Sequence, residues 1–209
     1  MVKFDSNRTY GIEIEMSWGR SRRPSQESIA TALHRAGLEC NTVASYGNAH
    51  VANSNTAWKI VPDGSVTNGH ELVSPILRGL DGKEQLKTAM RVVKAIGAQT
   101  DASCSIHVHH GVHDFTAKQL TIDRLVAASR RNTMWARSMV NGINFYESAT
   151  TPLDGAWTSP SHDRNNKSNL VNQLAPQGRY FKVNFHSFIR QGTVEFRQHQ
   201  TSLNAVRIW

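Results

Sequence analysis

An α+β fold is predicted for this 209-residue chain: a curved, mainly antiparallel sheet, helices packed on one face and a polar, concave active face. Three observations lead there. Segments of strict apolar–polar alternation recur near both ends and in the middle of the chain. Helical segments with start and stop signals lie between them. The polar strand positions carry Glu, His and Arg rather than a mixed solvent-facing set.

Taken in order, Gly11-Ile12-Glu13-Ile14-Glu15-Met16 is the first strand, with Ile12, Ile14 and Met16 inward and both Glu outward. Pro24-Ser25 opens a helix over 26–36 with the stripe Ile29, Leu33 and Ala36, stopped by Gly37. Residues 40–56 read as short strand and loop. Trp58–Val61 is a strand, Asp63-Gly64-Ser65 a turn, and Glu71–Leu77 the returning strand. Asp81-x-x-Glu84 reads as a capping box for a helix with Leu86, Met90 and Val93 at helical spacing and Gly97 at its end. Cys104-Ser105-Ile106-His107-Val108-His109 is a strand with its histidines on one side and Ile106 and Val108 buried on the other. A second cap, Thr116-x-x-Gln119, starts a helix to about Met139; residues 141–177 have no period and read as a long loop, a lid over substrate or disorder. Tyr180–Phe185 and Thr193–Gln198 alternate again and form a hairpin, so Lys182 shares the polar face of Arg197.

The chemistry lies on the polar positions. Residues two apart on a strand face the same way, roughly 6–7 Å from each other. Glu13 with Glu15, His107 with His109, and Glu195 with Arg197 are such pairs, and Glu71 adds a fourth strand. Anions lined up on one face repel and cost desolvation unless a cation meets them. Carboxylates with one or two imidazoles suit a hard divalent ion, Mg²⁺ or Mn²⁺. Arg197, two residues from Glu195, is placed for a phosphate held by the same ions. Taken singly, each motif also reads as a solvated face, and Glu195–Arg197 as a wet-surface ion pair. Recurrence on four segments favours a site. Zinc is disfavoured, because Cys104 falls on the Ile106/Val108 face, away from the histidines.

Composition fits one globular domain over residues 1–209, with 39% hydrophobic and 19% charged residues. No stretch approaches a membrane span, no signal-peptide core is present, and two cysteines make no disulfide scaffold; the expected compartment is the cytoplasm. Net charge is +8, and with four of the 16 acids assigned to the metal face, 12 remain against 24 Lys and Arg. Such a surface gathers nucleotides and acidic substrates. Nucleic acid is a further partner class that it admits but does not favour, since no basic run with interleaved aromatics occurs.

In this order, Gly11-Ile12-Glu13-Ile14-Glu15, Asp63-Gly64-Ser65 with Glu71-Leu72-Val73-Ser74-Pro75, Ile106-His107-Val108-His109, and Gly192-Thr193-Val194-Glu195-Phe196-Arg197 resemble the putative amidoligase family, in the carboxylate–amine ligase superfamily with glutamine synthetase and glutamate–cysteine ligase. The resemblance spans residues 10–201. It implies a glutamine-synthetase-like catalytic core and ADP-forming amide synthesis through an acyl phosphate, with ATP and Mg²⁺ or Mn²⁺ as cofactors. Glu13, His107 and Glu195 would hold the metal bridging the ATP phosphates. Glu15 and Glu71 would hold a second metal nearer the acid, and Glu71 belongs with Arg197 and Lys182 among the residues carrying the chemistry. Arg197, Lys182, Arg179 and His109 would contact nucleotide. Small-molecule or peptide carboxylates and amines are the implied substrates. Relatives have His-x-Gly-Thr where this chain reads His199-Gln200-Thr201-Ser202, and they continue for several helices beyond that point, an extension this chain is expected to lack. Two other classes stand beside the ligase: a metal-dependent phosphoesterase or nuclease built on His107, His109, His110 and His113, and a non-catalytic binding module of the same fold.

Overall fold

Strand alternation and capped helices appear in the computed structural model, which describes residues 8–44, 56–111, 183–184, 187 and 191–208. The elements are β1 (Thr9–Ser17), α1 (Gln26–Arg35), β2 (Cys40–Thr42), β3 (Trp58–Val61), β4 (Gly69–Val73), β5 (Leu77–Arg78), α2 (Gly79–Ala95), β6 (Ser105–Gly111), β7 (Val183–Asn184), β8 (Thr193–Gln200) and α3 (Ala205–Ile208). Packing divides the chain into two units, Met1–Val108 with His199–Trp209, and His109–Gln198. The expected helix from 116, the loop over 141–177, Arg179 and Lys182 lie outside the described residues.

In the first unit the strand order is β2-β3-β4-β1-β6, with β5 also paired to β1. Strands β1 and β4, β1 and β5, and β3 and β4 run antiparallel, whereas β2 and β3 run parallel. The architecture is thus α+β with an open mixed sheet. Ile12, Ile14 and Met16 of β1, Trp58 and Ile60 of β3, Leu72 of β4 and Ile106 of β6 form one core with Ile29 and Leu33 of α1 and Leu86, Met90 and Val93 of α2. The helices therefore cover the face that the alternation marks as apolar.

Helix α1 begins as expected: the Ser25 side chain accepts from the Ser28 amide at 3.2 Å, satisfying an otherwise orphan N–H. It ends one residue before Ala36, and Gly37 takes φ +85°. Helix α2 differs. It starts at Gly79, two residues before Asp81, and its N-cap Arg78 makes no side-chain cap bond. Glu84 instead pairs with Lys87 at 2.6 Å on the exposed surface. Close packing explains the early start: a Cβ on Gly82 would lie 2.5 Å from the Tyr10 hydroxyl, so the first turn is pressed onto β1. A capping box positions a helix only where tertiary contact does not override it.

The returning strand is also shorter than predicted, because β4 stops at Val73 and Leu77 belongs to β5 on the Tyr10 side of β1. Pro75 has no amide to offer a ladder. Ser74 bridges the gap: its amide donates to Ile12 O at 2.8 Å and its hydroxyl oxygen accepts from Ile12 N at 2.9 Å. Val108 packs against the core but is only half-buried, a correction to its expected full burial. In the second unit, β7 pairs antiparallel with β8, with Val183 opposite Phe196 and Asn184 opposite Glu195. No helix among the described residues is long and apolar enough to cross a membrane.

Candidate functional site

The register of the central strands places two carboxylates face to face. Glu15 is the cross-strand partner of Glu71, two residues along from Glu13 opposite Val73. Opposed residues in an antiparallel pair point to the same side, so Glu13, Glu15 and Glu71 share the face away from the helices. Both members of the pair are buried, Glu15 at 5% exposure and Glu71 at 2%. Like charges directly opposite destabilise a sheet, and burial removes the water that would screen them.

His107 of β6 joins this face. Its Nδ1 lies 2.9 Å from Glu13 Oε2 and its Nε2 3.0 Å from Ser105 Oγ. A carboxylate only accepts, so Nδ1 carries the proton and Nε2 accepts from the Ser105 hydroxyl. Rotation of that hydroxyl frees Nε2 for a metal, while Glu13 fixes the ring, the usual arrangement of a ligating histidine. Glu15 is oriented too, its Oε2 accepting from the Ser105 amide at 2.6 Å. Thr201 secures this strand start by bonding the carbonyl oxygens of Cys104 and Ser105. Thr201 is therefore a tether on β6.

Within the first unit two groups of ligand atoms result among the described residues. One atom each from Glu13, Glu71 and His107 lie within 4.8 Å of one another, and so do atoms from Glu15, Asp63 and Glu71. An oxygen-rich set with one imidazole fits Mg²⁺ or Mn²⁺ by its chemistry. From sequence Asp63 is marked only as a turn residue. Its Oδ1 accepts from the Ser65 amide at 2.7 Å and the Ser65 hydroxyl at 2.6 Å, so the same turn that reverses the chain also aims a carboxylate.

A model of the family described as "Putative amidoligase enzyme" matches residues 6–209. The chain belongs to this family. No curated protein and no solved structure gives a match.

Lys59 is a second residue that sequence reasoning passed over. It stands opposite Val73, which stands opposite Glu13, so its side chain leaves β3 on the acidic face. It is 8% exposed, and burial lowers its proton affinity below that of an ordinary lysine. The signal was present: a lysine among Trp58, Ile60 and Val61 in an otherwise apolar strand.

His70, by contrast, faces the helices. It is opposite Met16, packs edge-on against Trp18 with centroids 5.8 Å apart, and its Nε2 is 3.1 Å from Pro24 O. The carbonyl accepts, so Nε2 carries the proton, and Nδ1 has no hydrogen-bond partner among the described residues. Burial holds its pKa below the usual histidine value, the Pro24 bond opposing this in part. Cys104 is buried as expected, and burial raises its thiol.

In the second unit, Arg197 Nη1 donates to Glu195 Oε1 at 2.5 Å, and Ser187 Oγ donates to Glu195 Oε2 at 2.9 Å. Glu195 is 3% exposed, so this is not the wet-surface pair that the motif alone allowed. His109 Nδ1 lies 3.1 Å from Thr193 Oγ1, and its Nε2 lies 4.0 Å from Glu195 Oε1. His110 turns elsewhere, edge-on to Phe196. The two histidines thus serve different partners.

Proposed function

We propose that the chain is an ADP-forming carboxylate–amine ligase whose acidic sheet face belongs to a glutamine-synthetase-like catalytic core. The observation that carries this reading is the buried Glu15–Glu71 register pair. Two opposed, buried carboxylates beside Glu13 and Asp63 make an arrangement that a divalent cation stabilises. Family membership supplies the reaction class.

Glu13, Glu71 and His107 would hold one Mg²⁺ or Mn²⁺, and Glu15, Asp63 and Glu71 a second. Bound there, the ions supply Lewis-acid neutralisation of phosphate oxygens. One carboxylate oxygen of the acid substrate attacks the γ-phosphorus of ATP, and the bond to the ADP oxygen breaks, leaving an acyl phosphate. The amine then forms the new C–N bond at the acyl carbon and inorganic phosphate departs. The proton that the amine loses is assigned to a carboxylate of this acidic face. Arg197, already engaged to a carboxylate oxygen of Glu195, is assigned the transferring phosphoryl group. Lys182 and Arg179 keep the nucleotide roles that the family resemblance implies, and His109 stands with them.

The test is ADP and phosphate release across paired acids and amines in Mg²⁺, with His107→Ala as control. ADP formation that needs both an acid and an amine, and is lost in His107→Ala while its metal-free melting temperature stays nearly constant, is the expected result. Hydrolysis of phosphodiesters without ATP would replace this reading with the esterase class.

A further inference from the structure

Ser105 is not among the candidate ligands, yet it bonds a member of each ligand group. Its amide donates to Glu15 Oε2 at 2.6 Å, and its hydroxyl donates to His107 Nε2 at 3.0 Å. Glu15 belongs with Asp63 and Glu71, and His107 with Glu13 and Glu71. Residues two apart on β6 share a side, which sets the hydroxyl alongside the imidazole.

The two bonds differ in what holds them. The amide belongs to a backbone that is pinned. Buried Thr201 bonds the Ser105 carbonyl oxygen through its hydroxyl and the Cys104 carbonyl oxygen through its amide. The hydroxyl instead turns about a single side-chain torsion between staggered wells. Ser105 can therefore release His107 without releasing Glu15, and no backbone has to move. The bond to His107 also has a physical reason. The ring is 4% exposed and its Nδ1 is engaged to Glu13, so a lone pair on Nε2 without a donor would bear the full cost of leaving water.

We propose that the Ser105 hydroxyl is a displaceable cap on the metal-ligating nitrogen of His107. By competing with the ion it sets the affinity of the Glu13–Glu71–His107 group. This rests on the metal sites of the ligase reading and deepens it. On metal binding the hydroxyl rotates away with its proton, and Nε2 gives its lone pair to the ion. Nδ1 keeps its own proton against Glu13, so none is released to solvent. The group gives up one hydrogen bond to bind, and its affinity is lower by the worth of that bond. Ser105 is a positioning residue here, acting through His107.

The probe is Mn²⁺, titrated into the metal-free protein by calorimetry. Ser105→Ala removes the cap and keeps the amide bond to Glu15. It should bind Mn²⁺ about 2- to 10-fold more tightly, the equivalent of one net hydrogen bond. Ser105→Thr keeps the hydroxyl and should bind as the unmodified chain does. In a His107→Ala background, Ser105→Ala should change nothing, which closes a double-mutant cycle. Unchanged or weaker binding in Ser105→Ala would overturn the proposal, and so would an equal gain in the His107→Ala background. A further check needs no variant. Long-range ¹H–¹⁵N spectra of the metal-free protein should show the His107 ring protonated at Nδ1; a proton on Nε2 would overturn the cap. Tighter Mn²⁺ binding by Ser105→Ala, in a protein that forms no ADP with any acid and amine, would remove the ligase reading and still support the cap.

Discussion

The two faces of the β3-β4-β1 sheet are buried to nearly the same depth, and they are opposite in chemistry. On the helix side Ile14, Ile60 and Leu72 are each 0% exposed and surround themselves with α1 and α2. On the other side Glu71 at 2%, Glu15 at 5% and Lys59 at 8% are scarcely more accessible. Burial on the first face is favourable by itself, at about 25 cal/mol per Å² of apolar surface. Burial on the second face costs free energy, because charge leaves water. One face makes the fold and the other draws on the stability so gained. The lesson is that a strand's alternation need not separate inside from outside; here it separates a core from a site.

The comparison is most severely tested at Ile14. Ile14→Asp places an unpaired charge opposite Leu72 in the helix-side core. It is expected to cost more than about 4 kcal/mol and to abolish the cooperative melt followed by circular dichroism. A normal melt would mean that the two faces are interchangeable.

Glu15→Gln comes next, since the amide oxygen can still accept from Ser105 N while the charge facing Glu71 disappears. Metal-free stability should rise, by up to about 1 kcal/mol for relief of an opposed like-charged pair. The stabilisation by Mn²⁺, about 2.7 kcal/mol at a hundredfold excess over Kd, should be lost. Thermal scans with and without Mn²⁺ report both changes. A drop in metal-free stability with an intact Mn²⁺ response would show that the acidic face is structural.

His70 sharpens the contrast from the helix side, as an ionisable group on the apolar face. Its pKa is lowered in the folded protein, chiefly by burial, so the unfolded chain takes up the proton first. Stability should therefore hold above about pH 6.5 and fall as pH drops below it, at no more than about 1.4 kcal/mol per pH unit. Urea midpoints of the metal-free protein between neutral and mildly acid pH measure this, and His70→Gln should flatten the profile. A profile unchanged by the substitution would place the acid sensitivity elsewhere.

The smallest effect is expected at Glu84. Breaking its exposed pair with Lys87 by Glu84→Gln should change stability by less than about 0.5 kcal/mol. A loss near 1 kcal/mol would restore the capping box that the structure replaces with an earlier helix start.

Much of this was legible in the chain itself, and for local reasons. Strand period is 2 and is set by the backbone, so Glu13 and Glu15 on one side and Ile12, Ile14 and Met16 on the other could be assigned from spacing alone. The Ser25 cap of α1 and the Asp63–Ser65 turn depend on residues within three positions of each other. The ordered motifs sufficed for the family, which the match over residues 6–209 shows. Register and burial are of another kind. That Glu15 meets Glu71, 56 positions on, and that Lys59 stands in line with Glu13, follow from how strands distant in sequence align. Alignment is decided by which apolar side chains fill the helix-side core, a sum over many residues that no window of sequence contains. The same sum sent His70 to the core, pulled the start of α2 back to Gly79 and left Val108 half-buried. Local spacing determined which residues share a face; only tertiary packing decided which of them meet, and how far from water.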